Sequence, residues 1–110
     1  MIATTTDHVE GQVITRYLGL VSGEVVSGIN ALRDLGAGMR NIFGGRSAGY
    51  EDEVIQARES AIGEMVERAQ QVGANAIVGV RIDYTGLSNG TMIMVNVTGT
   101  AVQTMPASAQ

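Results

Sequence analysis

The string Gly44-Gly45-Arg46-Ser47-Ala48-Gly49 is the part of this chain where binding chemistry is most easily built. Free backbone N–H groups leading into a helix, together with a guanidinium, can converge on an anion. Arg40 can add charge, and Tyr50 follows the loop directly. The same residues have a purely structural use: Gly44, Gly45 and Gly49 suit tight turns, and Arg46 can pair with a carboxylate of a neighbouring subunit. The loop is not a P-loop, because the chain contains no lysine. Nor is Gly36-Ala37-Gly38 a dinucleotide fingerprint, since Asn41 stands where the third glycine belongs.

Arg58 is the second candidate for ligand binding. By helical angle it falls near the middle of an apolar stripe, where a charge needs a partner because burying it alone costs several kcal/mol. Glu24, Glu51 and Asp83 are the carboxylates that could serve, and an ion pair near a subunit contact is the structural use of such a residue. His8, flanked by Asp7 and Glu10, offers nitrogen and oxygen ligands to a borderline metal ion. Met92 and Met94 share one strand face and could offer thioethers, or simply pack at an interface.

The absences narrow the field further. No cysteine means no thiolate nucleophile, no disulfide and no cysteine-ligated metal centre, and no lysine means no Schiff base. No nucleophile, base and orienting group stand together, so the chain is expected not to be an enzyme, with an unrecognised hydrolase as the residual reading. A net charge of -4 argues against a nucleic-acid or anionic-membrane partner. The first ten residues lack the basic start and apolar stretch of a secretory signal, so export by that route is not expected, and apolar runs such as Met92–Val95 fall far below the ~20 residues of a membrane helix. The expected compartment is the cytoplasm.

These residues need a scaffold, and 110 residues make one domain over 1–110. With 4% aromatic residues and no Trp, its core must come from Val, Ile, Leu, Met and Ala. The clearest element is a helix from Tyr50 to Val72, opening on Glu51, Asp52 and Glu53 and stopping at Gly73. Val54, Ala57, Ala61, Ile62, Met65, Val66, Ala69 and Val72 form its apolar stripe, opposite Asp52, Gln56, Glu59, Gly63, Glu67 and Gln70. A short strand is expected at Ile2–Thr6 and a long one at Gln12–Val26, bent at Gly19 or Gly23, with Val13, Tyr17, Val21 and Val25 on one face. A strand over 76–84 has Ala76, Val78, Val80, Ile82 and Tyr84 on its core face. A turn at Ser88-Asn89-Gly90 leads into a strand from Thr91 to Gln103, whose Ile93, Val95, Val97 and Ala101 face the helix. A short helix is expected over 30–43, and a frayed tail over 106–110.

The result is an α+β subunit, an antiparallel sheet under one long amphipathic helix. It has spare apolar faces and open strand edges, which self-assembly would close.

Several strings, in order along nearly the whole chain, resemble the YbjQ family of small bacterial proteins. They are Thr4-Thr5-Thr6, Leu18-Gly19-Leu20-Val21 with Gly23-Glu24, Gly44-Gly45-Arg46-Ser47 followed by Tyr50, Ala57-Arg58, Gly73 to Val80, Asp83-Tyr84 and Gly99-Thr100-Ala101-Val102. The resemblance implies a dodecin-like β-α-β-β subunit, a homopentameric ring whose sheets join in a barrel, and a heavy-metal-binding function. The functional expectation is therefore a homo-oligomeric ring that binds a small ligand or metal ion. The alternative is an assembly or interaction module without a small ligand, in which Arg46 and Arg58 serve contacts between subunits.

Overall fold

The computed structural model describes residues 1–28, 48–87 and 92–109. The expected helix over 30–43, the glycine loop through Ser47 and the turn at 88–90 lie outside the described residues. Within them, the chain runs β1 (Ile2–Ala3), β2 (Gln12–Gly28), α1 (Ala48–Gln71), β3 (Ala76–Leu87) and β4 (Met92–Pro106). The strands form one sheet in the order β1-β3-β4-β2, with α1 packed across one face. β2 and β4 pair antiparallel from Gln12–Pro106 to Gly28–Met92, and β3 pairs antiparallel with β4. β1 runs parallel to β3, so the sheet is mixed and not wholly antiparallel.

Side chains alternate along a strand, so one extra residue sends its successors to the other face. Two such insertions lie in β2, between Ile14 and Arg16 and between Tyr17 and Gly19, where Gly19 takes φ 107°. Tyr17 lies between them and sits opposite Val102, away from the helix and 70% exposed. It does not share the face of Val13, Val21 and Val25, as simple alternation predicts. A third irregularity falls between Val78 and Arg81, with Gly79 at φ 62°. It divides the expected core face of β3: Ile77 and Val80 join the core under α1, while Ala76 and Val78 pack with Val102, Val9 and Ile14 on the far side.

The main core is formed by Ala57, Ala61, Met65 and Ala69 of α1 against Val21, Ile77, Val80, Val95, Val97 and Ala101. Alanines at 57, 61 and 69 let α1 lie close to the sheet, with Met65 as the large side chain between them. Gly23 brings the two backbones closest: a Cβ built there would stand 1.9 Å from the carbonyl oxygen of Ala61. The glycine anticipated as a bend is thus a site of close backbone approach.

The C-terminus of α1 ends as its sequence requires. Gly73, at φ 87°, donates its N–H to the Gln70 carbonyl, and Ala74 donates to that of Ala69, a Schellman motif. Asn75 continues the stop: its side-chain amide donates to the Thr104 carbonyl at 2.9 Å, and its Oδ1 accepts the Thr104 N–H at 2.9 Å. The Gly73-Ala74-Asn75 string therefore splices α1 onto the sheet. The tail is more ordered than expected, since Pro106 pairs with Gln12 and Ala107 N–H donates to the Gly11 carbonyl ahead of a 3-10 turn at Ala107–Ala109.

Among the described residues one sheet carries one long helix on one face, and the chain is thin, 61 × 21 × 16 Å with a radius of gyration of 17.8 Å. A compact domain of similar length has about 13 Å. No described helix is long and apolar enough to cross a membrane.

Candidate functional site

Thr4-Thr5-Thr6 and His8 sit in the loop that joins β1 to β2 along the edge of β3. Thr4 N–H donates to the Ile77 carbonyl, while Gly79 and Val80 donate to the carbonyls of Thr6 and Thr4, so the loop seals the Gly79 irregularity. The Thr6 hydroxyl donates to the His8 carbonyl, which leaves the Thr4 hydroxyl to donate to Thr6 Oγ1 at 2.8 Å. His8 then stands between carboxylates. Its Nδ1 is 2.7 Å from Asp7 Oδ1 and its Nε2 is 3.5 Å from Glu10 Oε2. A carboxylate only accepts, so Nδ1 carries the proton. The Asp7 hydrogen bond, then its charge, raises the imidazole pKa above its ordinary 6.5. Reciprocally, the His8 hydrogen bond and charge lower the Asp7 carboxyl below 3.8.

As a metal centre the arrangement is poor: both ring nitrogens already face acid partners, and all three side chains are exposed. Among the described residues no group of three His, Cys, Asp or Glu side chains is placed to hold a metal ion. A soft heavy metal favours thiolate, which the chain lacks. The described residues of a single subunit do not fit a heavy-metal centre.

The other predicted residues are dispersed. Arg40, Arg46 and Ser47 lie outside the described residues. Tyr50 is in the first turns of α1, eight residues or about 12 Å along the axis from Arg58. Arg58 itself is not sunk in the apolar stripe. Its side chain is 37% exposed and its Nε lies 3.7 Å from Glu59 Oε2. The buried positions are its neighbours Ala57 and Ala61, so the guanidinium emerges beside the core. Glu24 and Asp83 cannot serve it: both are in register with Asn96, on the sheet face away from α1.

That face, which no helix covers among the described residues, carries features the sequence did not single out. Successive rows across β2, β4 and β3 are Ser22–Thr98–Arg81, Glu24–Asn96–Asp83 and Val26–Met94–Thr85. The Oδ1 of Asn96, at the centre, is buried with no hydrogen-bond partner. One row along the same face Val26 is 50% exposed, and two rows the other way Leu20, opposite Thr100, is 87% exposed. An orphaned acceptor between Glu24 and Asp83, on a face that also exposes these aliphatic side chains, is unfavourable for a solvated surface, since an unmade buried hydrogen bond costs about 1–3 kcal/mol.

The free edge of β2 is different, because α1 reaches over it. Arg68 Nη1 donates to the Ser22 carbonyl at 2.7 Å, and Glu24 N–H donates to Glu64 Oε1 at 3.2 Å. Arg68 Nη2 and Glu64 Oε1 pair at 3.0 Å. The sequence held a signal for this contact: an acid four residues before a base on one helix flank, and a glycine in mid-strand.

Comparison with known proteins agrees with the family strings. The family described as "Putative heavy-metal-binding" matches residues 1–105. A UPF0145 protein of Corynebacterium jeikeium is 60% identical over 102 residues, covering 93% of this chain and 97% of the relative. One of Bifidobacterium longum is 58% identical over 105 residues, covering 94% of each. One of Listeria monocytogenes is 57% identical over 104 residues, covering 93% and 94%. Among solved structures, a protein of unknown function of the DUF74 family from Pediococcus pentosaceus superposes with a TM-score of 0.63 at 16% identity, covering 94% of this chain and 96% of that one. That likeness shows the fold alone.

Proposed function

Because the chain belongs to the YbjQ family, we propose that it works as a homo-oligomeric ring, pentameric as the family resemblance implies, holding a small ligand or metal ion where copies meet. The observation that carries this reading is the sheet face away from α1, where the partnerless Asn96 oxygen stands between Glu24 and Asp83 on a face that also exposes Leu20 and Val26. A neighbouring copy would bury the aliphatic side chains and supply the missing donor. Since one subunit's described residues do not complete a metal set, ligands from several copies would be needed, and symmetry would repeat each site around the axis. On this reading the chain is a cytoplasmic binding protein whose partner is itself, with no nucleic acid, no membrane and no catalysis.

A second reading, an assembly module without a small ligand, is supported by the same lack of a ligand set among the described residues. One experiment addresses both. Leu20→Asp places a charge on the sheet face away from α1, and light scattering reads the mass while elemental analysis reads bound metal in protein purified without chelator. Loss of assembly in the variant, with metal bound only by the intact wild-type assembly, supports the first reading. An assembled wild type that takes up neither metal nor small anions supports the second. An unchanged mass for Leu20→Asp removes this face from the contact.

A further inference from the structure

An edge strand leaves every second residue's N–H and C=O pointing outward, and an unpaired row of these groups is a template for another strand. Among the described residues β2 is such an edge for all its 17 residues, and its outward groups include those of Ser22 and Glu24. Both are already used: the Ser22 carbonyl accepts from Arg68 and the Glu24 N–H donates to Glu64, while Glu64 and Arg68 pair with each other. The two are joined into one polar clamp. Gly23 makes the reach practicable, since only a residue without Cβ lets the Ala61 turn ride directly on the strand.

We propose that Glu64 and Arg68 form a latch that closes the free edge of β2 to strand addition by a second copy of this chain. The strand it excludes is the Arg81–Leu87 stretch of β3. That stretch is the opposite unpaired edge of the sheet among the described residues, because β1 and the threonine loop cover only Ala76–Val80. An acceptor edge on one side and a donor edge on the other make a head-to-tail contact, which extends as a filament unless its rotation closes. The latch denies that route and leaves contacts between sheet faces. It is compatible with a ring joined through sheet faces, as proposed above, and excludes one whose sheets join edge to edge along this part of β2.

The test compares wild type, Glu64→Ala/Arg68→Ala, and the same double variant carrying Ser22→Pro. Proline at Ser22 blocks the edge again without removing a bond to β4, since that N–H points outward. The double variant should grow into large species with increased strand content, and Ser22→Pro should return it to the wild-type mass. Amide exchange gives an independent reading in wild-type and Glu64→Ala protein: the Glu24 N–H should exchange roughly two- to tenfold faster once its acceptor is gone. A double variant of wild-type mass, large species that persist with Ser22→Pro, or unchanged Glu24 exchange would each overturn the latch.

Discussion

Gly23→Ala should cost far more than its single methyl group suggests. The new Cβ would stand 1.9 Å from the Ala61 carbonyl oxygen and 2.9 Å from both Ala61 C and Met65 N, all of them backbone atoms that no rotamer change can move. Real Cβ contacts essentially never fall below 3.0 Å, so α1 and β2 must part by 3.0 less 1.9, or 1.1 Å. A gap of about 0.5–1 Å already forfeits a quarter to a half of each dispersion contact. Ala57, Ala61, Met65 and Ala69, all buried against the sheet, would feel it together. Overpacking typically costs about 1–3 kcal/mol, and a rigid backbone clash belongs at the top of that range, so about 3 kcal/mol is expected. That is a large part of the roughly 5–15 kcal/mol that holds a domain together. Urea unfolding followed by circular dichroism, at fixed protein concentration, should show the midpoint falling by about 1–3 M. Gly63→Ala is the control: that glycine is inside α1 with nothing within 4 Å of its would-be Cβ, so the same substitution should stabilise by about 1 kcal/mol. A Gly23→Ala protein within about 0.5 kcal/mol of wild type would refute the close-approach argument.

Other outcomes follow from the same geometry. The His8 imidazole, held above 6.5, contributes fully below pH 6.5 and loses its contribution as pH rises through its higher folded value; Asp7, held below 3.8, contributes fully above 3.8 and loses it as pH falls through its lower one. An NMR titration should therefore place His8 above 6.5 and Asp7→Asn should move it back down; a titration at or below 6.5 in the wild type would contradict the Asp7 contact. Asn96→Val removes a buried acceptor and inserts a good strand former, which would favour an isolated subunit but weaken a contact in which a neighbour donates to Oδ1. Light scattering across a dilution series should show the assembly dissociating at roughly tenfold higher concentration, and an equal or tighter assembly would show that no neighbour donates there. Gly73→Ala forces a side chain into φ 87° at the Schellman motif and should cost about 1–2 kcal/mol in thermal unfolding, with no loss expected only if the helix stop rearranges.

The helix was legible because its signals agree: an apolar stripe of period 3.6, acids at the start and a glycine at the stop. The strands were legible as stretches, and so was the face of β4, whose Val95, Val97 and Ala101 pack under α1, but the faces of β2 and β3 were legible only in part. An alternation pattern assumes no extra residue, and the irregularities at Ile14–Gly19 and Val78–Arg81 move Tyr17, Ala76 and Val78 to the face away from α1. Gly19 and Gly79 were the available signal, since both take positive φ at those steps. Arg58 misled because helical angle gives direction but not depth, and a long side chain can leave an apolar stripe at its margin. Asn96 could not be singled out from sequence, and the spacing of Glu64 and Arg68 marked a pair but not its target, since both depend on which strand forms the edge and which face α1 covers.

The central claim is that this subunit is completed by copies of itself. Native mass spectrometry of wild-type protein, purified without chelator, tests it most directly by reporting copy number and retained ligand in one spectrum. The expected spectrum is dominated by a species of five times the 11.5 kDa chain mass, carrying additional mass from a bound ion or small molecule. A dominant 11.5 kDa monomer would contradict it.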